Sequence, residues 1–155
     1  MIEAMDIHIK QGNFELENLS FSIETGEYAC LIGQTGTGKT TILEAICGLK
    51  SPKVGSFTLK GKNITLLKPA ERKIGFVPQD GALFETMTVS ENISFALRIR
   101  KWSKQDREKR AEELAELLSI SHLLDRMPEN LSGGEKQRVA LGRALSFYPS
   151  IICLD

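Results

Sequence analysis

The sequence has few of the features that staple a chain, carry it across a membrane or draw it to a polyanion. Its three cysteines, Cys30, Cys47 and Cys153, are odd in number, far apart and without Cys-x-x-Cys spacing. That excludes a disulfide scaffold and a structural zinc site, and predicts free, buried thiols in a reducing compartment. No apolar run approaches the ~20 residues that span a bilayer. Residues 1–6 show no basic segment leading into an apolar one, so no secretory signal is expected. Any work at a membrane is therefore expected to depend on another chain. Twenty Lys plus Arg balance twenty Asp plus Glu, which leaves no global basic field for nucleic acid. Internal repeats and low-complexity linkers are missing. The basic cluster Arg98, Arg100, Lys101, Lys104 is followed by Asp106 and Glu108 and reads as a solvated face.

What is present suits one globular domain. At 155 residues, with 41% hydrophobic and 26% charged, the chain is long enough to bury about 70% of its unfolded surface. Leu16, Leu19, Phe21 and Ile23 alternate as a half-buried strand does, up to the turn Glu24-Thr25-Gly26-Glu27. Tyr28-Ala29-Cys30-Leu31-Ile32 is continuously apolar and predicts a strand buried on both faces. Residues 40–47 form a helical pattern stopped by Gly48, and 57–59 and 74–77 read as further strands. Beyond residue 80 the pattern turns helical. Thr88-Val89-Ser90-Glu91 is a capping box opening a helix through Leu97, Ser103 starts a second, and a third runs over about 135–145, before Pro149. Residues 151–155 read as a returning buried strand.

The chemistry begins at Gly33-Gln34-Thr35-Gly36-Thr37-Gly38-Lys39-Thr40, which matches G-x-x-x-x-G-K-[ST] between a predicted strand and a predicted helix. Glycines let the backbone curl so that successive N–H groups point at phosphate oxygens, and the helix N-terminus adds partial positive charge. Lys39 is placed to reach the β- and γ-phosphates, and the Thr40 hydroxyl to ligate Mg²⁺. A second anion-binding pattern lies at Leu131-Ser132-Gly133-Gly134-Glu135-Lys136-Gln137, where Ser132 can cap a helix and two glycines expose N–H groups. One fold has no use for two γ-phosphate sites unless they serve different subunits.

With this heptad the chain resembles the ABC ATPases. Two further segments fall in the family's order: Ile74-Gly75-Phe76-Val77-Pro78-Gln79 resembles the strand leading to the Q-loop, and Ile151-Ile152-Cys153-Leu154-Asp155 resembles Walker B. The resemblance implies an α/β fold: a P-loop NTPase (RecA-like) core of residues 1–79 and 146–155, with a helical signature subdomain over 80–145. It implies nucleotide contacts from Gly33, Gln34, Thr35, Gly36, Thr37, Gly38, Lys39, Thr40 and Thr41. Ser132, Gly133, Gly134 and Gln137 would contact the ATP of a second subunit in a head-to-tail homodimer. Gln79 and Asp155 are the implied catalytic residues and, with Thr40, the implied Mg²⁺ ligands.

Gly12-Asn13-Phe14, Phe76-Val77-Pro78-Gln79-Asp80 and Ala82-Leu83-Phe84 look most like ATPases of molybdate/tungstate importers, although sulfate, polyamine and sugar importers share much of this. The resemblance therefore implies ATP-driven uptake of a small solute at the cytoplasmic face of the membrane, through a permease subunit and, indirectly, an extracytoplasmic solute-binding protein. Phe14 is the aromatic nearest the place where the family stacks one on adenine, and reads equally as core. The family's glutamate after the Walker B aspartate, its D-loop and its switch histidine would lie beyond Asp155, so a fold incomplete at the C-terminus and poor hydrolysis by this stretch alone are expected. His8 and His122 do not fall where that histidine would. A non-transport ABC ATPase or a non-hydrolysing nucleotide-binding fragment are the alternatives. A GTPase is disfavoured because no Asn-Lys-x-Asp motif occurs.

Overall fold

A computed structural model describes residues 1–12 and 14–155; Asn13, quoted above, lies outside them. The chain divides into two compact units, Met1–Arg72 and Lys73–Asp155.

In the first unit, strands β1 (Ile2–Gln11), β2 (Phe14–Ile23), β3 (Val54–Leu59) and β4 (Lys62–Asn63) form an antiparallel sheet in the order β2-β1-β3-β4. On β1 the buried residues are Ile2 and Ala4, then Ile7 and Ile9. The alternation changes phase because the register shifts around Asp6, whose φ is +49°. An extra residue at such a bulge returns the apolar side chains to the same face. Ser20 Oγ holds the bulge, accepting from the Asp6 N–H at 2.9 Å and donating to its carboxylate at 3.3 Å. Phe57 and Leu59 of β3 are buried, as are Ile42, Ala45, Ile46 and Cys47 of helix α1 (Lys39–Cys47).

The segment 28–32 departs from expectation. It forms no strand, and Tyr28 and Ile32 are each 89% exposed. An apolar run favours burial but does not supply a hydrogen-bonded neighbour, and among the described residues no strand pairs with this one. Cys30 is accordingly exposed, whereas Cys47 and Cys153 are buried as expected.

The second unit pairs β5 (Ile74–Val77) in parallel with β6 (Ile151–Leu154). Between them run α2 (Val89–Ile99), α3 (Lys104–Leu117) and α4 (Gly133–Leu145). Val89, Ile93, Ala111, Leu114, Ala115, Ile120, Leu123, Leu131 and Val139 make one buried cluster. Thr88 caps α2 in the capping box read from sequence, with Glu91 Oε2 accepting from the Thr88 N–H at 2.9 Å, and Ser103 caps α3. A Cβ at Gly75 would lie 2.8 Å from the Ala144 carbonyl oxygen, so glycine there lets β5 approach α4. Strand β6 is only partly buried: Cys153 is inside, while Ile152 and Leu154 are exposed. Among the described residues its other edge pairs with no strand. Two cations of the basic cluster cover aromatic faces, Arg98 over Phe95 and Arg100 over Phe147.

Candidate functional site

In the first unit the glycine-rich loop occupies residues 33–38 and delivers the chain into α1. Gly36 and Gly38 have φ of +85° and +91°, left-handed conformations that glycine adopts without a side-chain clash. Gly38 is the residue before the helix and caps it with no side chain. No side chain caps the first turn of the helix, which begins directly at the loop. Lys39 is drawn back over the loop, its Nζ donating to the carbonyls of Gly33 at 2.8 Å and Gln34 at 2.6 Å. Thr37 Oγ1 donates to the same Gln34 carbonyl at 2.8 Å. Residues 33–37 and Thr40 are exposed, and Thr41 is buried.

Phe14, the first residue of β2, packs against this loop. It is half-buried, and its Cζ lies only 2.2 Å from where a Cβ on Gly38 would stand. Any side chain at Gly38 would strike the ring. Its place in sequence suggested a role near nucleotide; its seat against the loop's last glycine was not legible there.

In the second unit, Gln79 and Asp155 stand at the carboxyl ends of adjacent parallel strands, where open α/β sheets bind ligands. Val77 pairs with Leu154, and the Asp155 N–H donates to the Val77 carbonyl at 3.0 Å. Gln79 follows Val77 by one intervening proline, and both site residues are exposed.

The second anion pattern opens α4. Ser132 is its N-cap: Oγ accepts from the Glu135 N–H at 3.4 Å, while the Ser132 N–H and O–H both donate to Glu135 Oε2 at 2.7 Å. These hydrogen bonds hold the Glu135 carboxyl below the usual glutamate range. Gly133 and Gly134 are exposed, and a Cβ on either would meet nothing within 4 Å. Gln137, one turn on, is exposed as well. Beside this capping box, helix α4 presents two exposed glycines at its dipole-positive end.

Three residues that sequence reasoning missed hold these parts in place. Arg72, 3% exposed, donates to four carbonyls around the end of α1. Arg143 and Asn92 both bond the backbone of the segment after Gln79. Their partners are main-chain atoms, distant in sequence for Arg143 and for two of the four bonds of Arg72, so no side-chain motif announces them.

A family model described as "ABC transporter" matches residues 16–155. The chain is 46% identical over its full length to the molybdate/tungstate import ATP-binding protein of Thermococcus kodakarensis, covering 46% of that protein. It is 43% identical to the sulfate/thiosulfate import ATP-binding protein of Pectobacterium atrosepticum, an alignment that takes in 99% of this chain and 48% of that one. The chain thus spans just under half the length of these relatives. Among solved structures, the ATP-binding cassette MJ0796, a dimer in a post-hydrolysis state bound to ADP and Pi, aligns with a TM-score of 0.87 at 31% identity, over 100% of this chain and 73% of its own.

Proposed function

Because the chain belongs to the ABC transporter family, we propose that it is the nucleotide-binding part of an import ATPase, coupling ATP binding and hydrolysis to uptake of a small oxyanion. The observation that carries this reading is the loop at 33–38, which opens α1 with no side-chain cap, its Gly36 and Gly38 left-handed and Lys39 resting on the loop's own carbonyls. ATP gives that ammonium a better partner. Phosphate oxygens carry charge, and charge-assisted bonds are about twice as strong as those to neutral carbonyls.

Bound phosphates take the N–H groups of residues 34–41 and the Lys39 ammonium; Gln79 orients the attacking water. Gln79 and Asp155, at the ends of adjacent strands, would offer an amide oxygen and a carboxylate to Mg²⁺, hard oxygen donors that suit that ion; the family resemblance implies the Thr40 hydroxyl as a further ligand. When bound, that ion neutralises charge developing on the phosphates. The glycine end of α4 serves the nucleotide of a second copy, which makes the working unit a head-to-tail homodimer seated on a permease at the cytoplasmic face of the membrane. A solute-binding protein outside would deliver cargo. Relatives named for molybdate/tungstate and for sulfate/thiosulfate support a tetrahedral oxyanion, molybdate or tungstate first, although a comparably similar relative is named for Fe(3+) ions.

The test is a calorimetric titration of Lys39→Ala with ATP–Mg²⁺. Loss of one charge-assisted contact weakens binding by about 1.5–3 kcal/mol, roughly ten- to a hundredfold. Unchanged affinity would remove Lys39 from the site.

A further inference from the structure

Gln79 sits in a tight turn, closed where the Gly81 N–H donates to the Pro78 carbonyl at 2.9 Å. The next two residues are left-handed: φ is +72° at Gly81, which glycine adopts readily, and +40° at Ala82, where a side chain makes it strained. A left-handed alanine persists only where its surroundings over-determine it. The surroundings here are chiefly one side chain. Arg143, in the last turn of α4, donates from Nη2 to the Gly81 carbonyl at 2.8 Å and from Nη1 to the Ala82 carbonyl at 2.7 Å. Its planar fork thus holds the two left-handed residues themselves. The guanidinium also lies 5.2 Å from the Phe84 ring centroid.

Packing ties the same turn to α4 further back. A Cβ on Gly81 would sit 3.7 Å from the Ala140 Cβ and from the Lys136 carbonyl oxygen. On α2, the fully buried Asn92 fixes the far end of the segment. Its Oδ1 accepts from the Phe84 N–H at 2.9 Å, and its Nδ2 donates to the carbonyls of Phe84, Met87 and Thr88 at 3.0–3.1 Å. The segment after Gln79 is therefore gripped by α4 at its start and by α2 at its end.

We propose that Arg143 is a positioning residue that holds the left-handed Gly81–Ala82 turn and thereby locks Gln79 to helix α4, so that Gln79 and the Ser132–Gly134 end of that helix move as one body. The consequence for hydrolysis rests on the function proposed above: a partner's nucleotide closing on the end of α4 would shift Gln79 with it. Arg143 touches neither nucleotide nor water in this scheme.

Amide hydrogen exchange tests the clamp without reference to turnover. In Arg143→Ala, exchange at Gly81 and Phe84 should speed up about tenfold or more, while Ile93 and Val139 in the helical core keep their protection. Arg143→Lys, which retains the charge and can reach one carbonyl, should fall between. It also keeps the test decisive if the alanine variant folds poorly. Unchanged exchange at Gly81 and Phe84, or equal acceleration at Ile93 and Val139, would overturn the clamp. In the full-length subunit, kcat for ATP should drop about tenfold with KM within about twofold. Unaltered kcat in a variant whose turn has loosened overturns the positioning role. If the wild-type subunit itself lacks turnover, the ATPase reading fails, and exchange still decides whether Arg143 holds the turn.

Discussion

Helix α1 has no basic residue in its last turn, and Arg72 supplies the missing cation from the other end of its unit. Nη1 donates to the carbonyls of Ala45 at 2.8 Å and Ile46 at 2.9 Å, Nε to Leu67 at 3.0 Å, and Nη2 to Thr65 at 2.7 Å. Burial lowers its pKa from the ordinary arginine value, and the charge that Cys47 carries when ionised opposes that shift. An arginine still keeps its charge at any working pH, and a cation at a helix C-terminus also meets the dipole favourably. Because α1 begins at the phosphate loop, whatever holds its end bears on the register of its start. Arg72→Met keeps much of the stem but removes the guanidinium from four carbonyls, of which that of Ala45 retains the Gly48 N–H. We expect the first unit to lose about 3 kcal/mol or more. Urea unfolding followed by exchange at Ile42 and Phe57 measures this; a loss below about 1 kcal/mol would mean that water replaces the guanidinium.

At the scale of elements, the end of α4 gives a prediction in pH. The Glu135 carboxylate accepts two hydrogen bonds from Ser132, and its pKa lies below the ordinary value. A depressed folded pKa means the cap contributes fully above the unfolded-state pKa and is lost as pH falls through the folded one. Acidification should therefore fray the first turn of α4. A carbon-detected NMR titration should place the Glu135 midpoint below that of an exposed glutamate, and Ser132→Ala should move it back up. An ordinary midpoint in the unsubstituted protein would contradict this.

The same helix shows why some elements were legible. Caps and capping boxes are local, so α2, α3 and α4 could be read to within a few residues from Thr88, Ser103 and Ser132. The bulge at Asp6 breaks the period of two and hid the long strand β1. The run at 28–32 misled because apolarity says nothing of partners. Of the site, the motif residues could be read because their spacing is itself the chemistry. Arg143 could not: its bonds to Gly81 and Ala82 cross 62 and 61 residues and end on main-chain oxygens.

At the scale of the whole molecule, the proposed dimer turns on a surface the chain leaves bare. The two glycines that open α4 are exposed, with nothing within 4 Å of an added Cβ, and they lie in helical backbone. Gly134→Ala should therefore leave the fold intact and even stabilise it by a few tenths to about 1 kcal/mol, since alanine forfeits less backbone entropy in a helix. A stabilised fold with damaged assembly separates the two roles of this residue. The added methyl stands where a partner's nucleotide would come close to the backbone, so ATP-driven dimerisation should weaken. Gly134→Asp should abolish it by setting a carboxylate against phosphate. Neither change lies in the phosphate loop, and nucleotide affinity of the monomer should stay within about twofold. Sedimentation velocity of the full-length subunit, with and without ATP–Mg²⁺, reads assembly; calorimetry and thermal melting read the other two. An aspartate variant that still dimerises with ATP would detach the end of α4 from the nucleotide of the second copy.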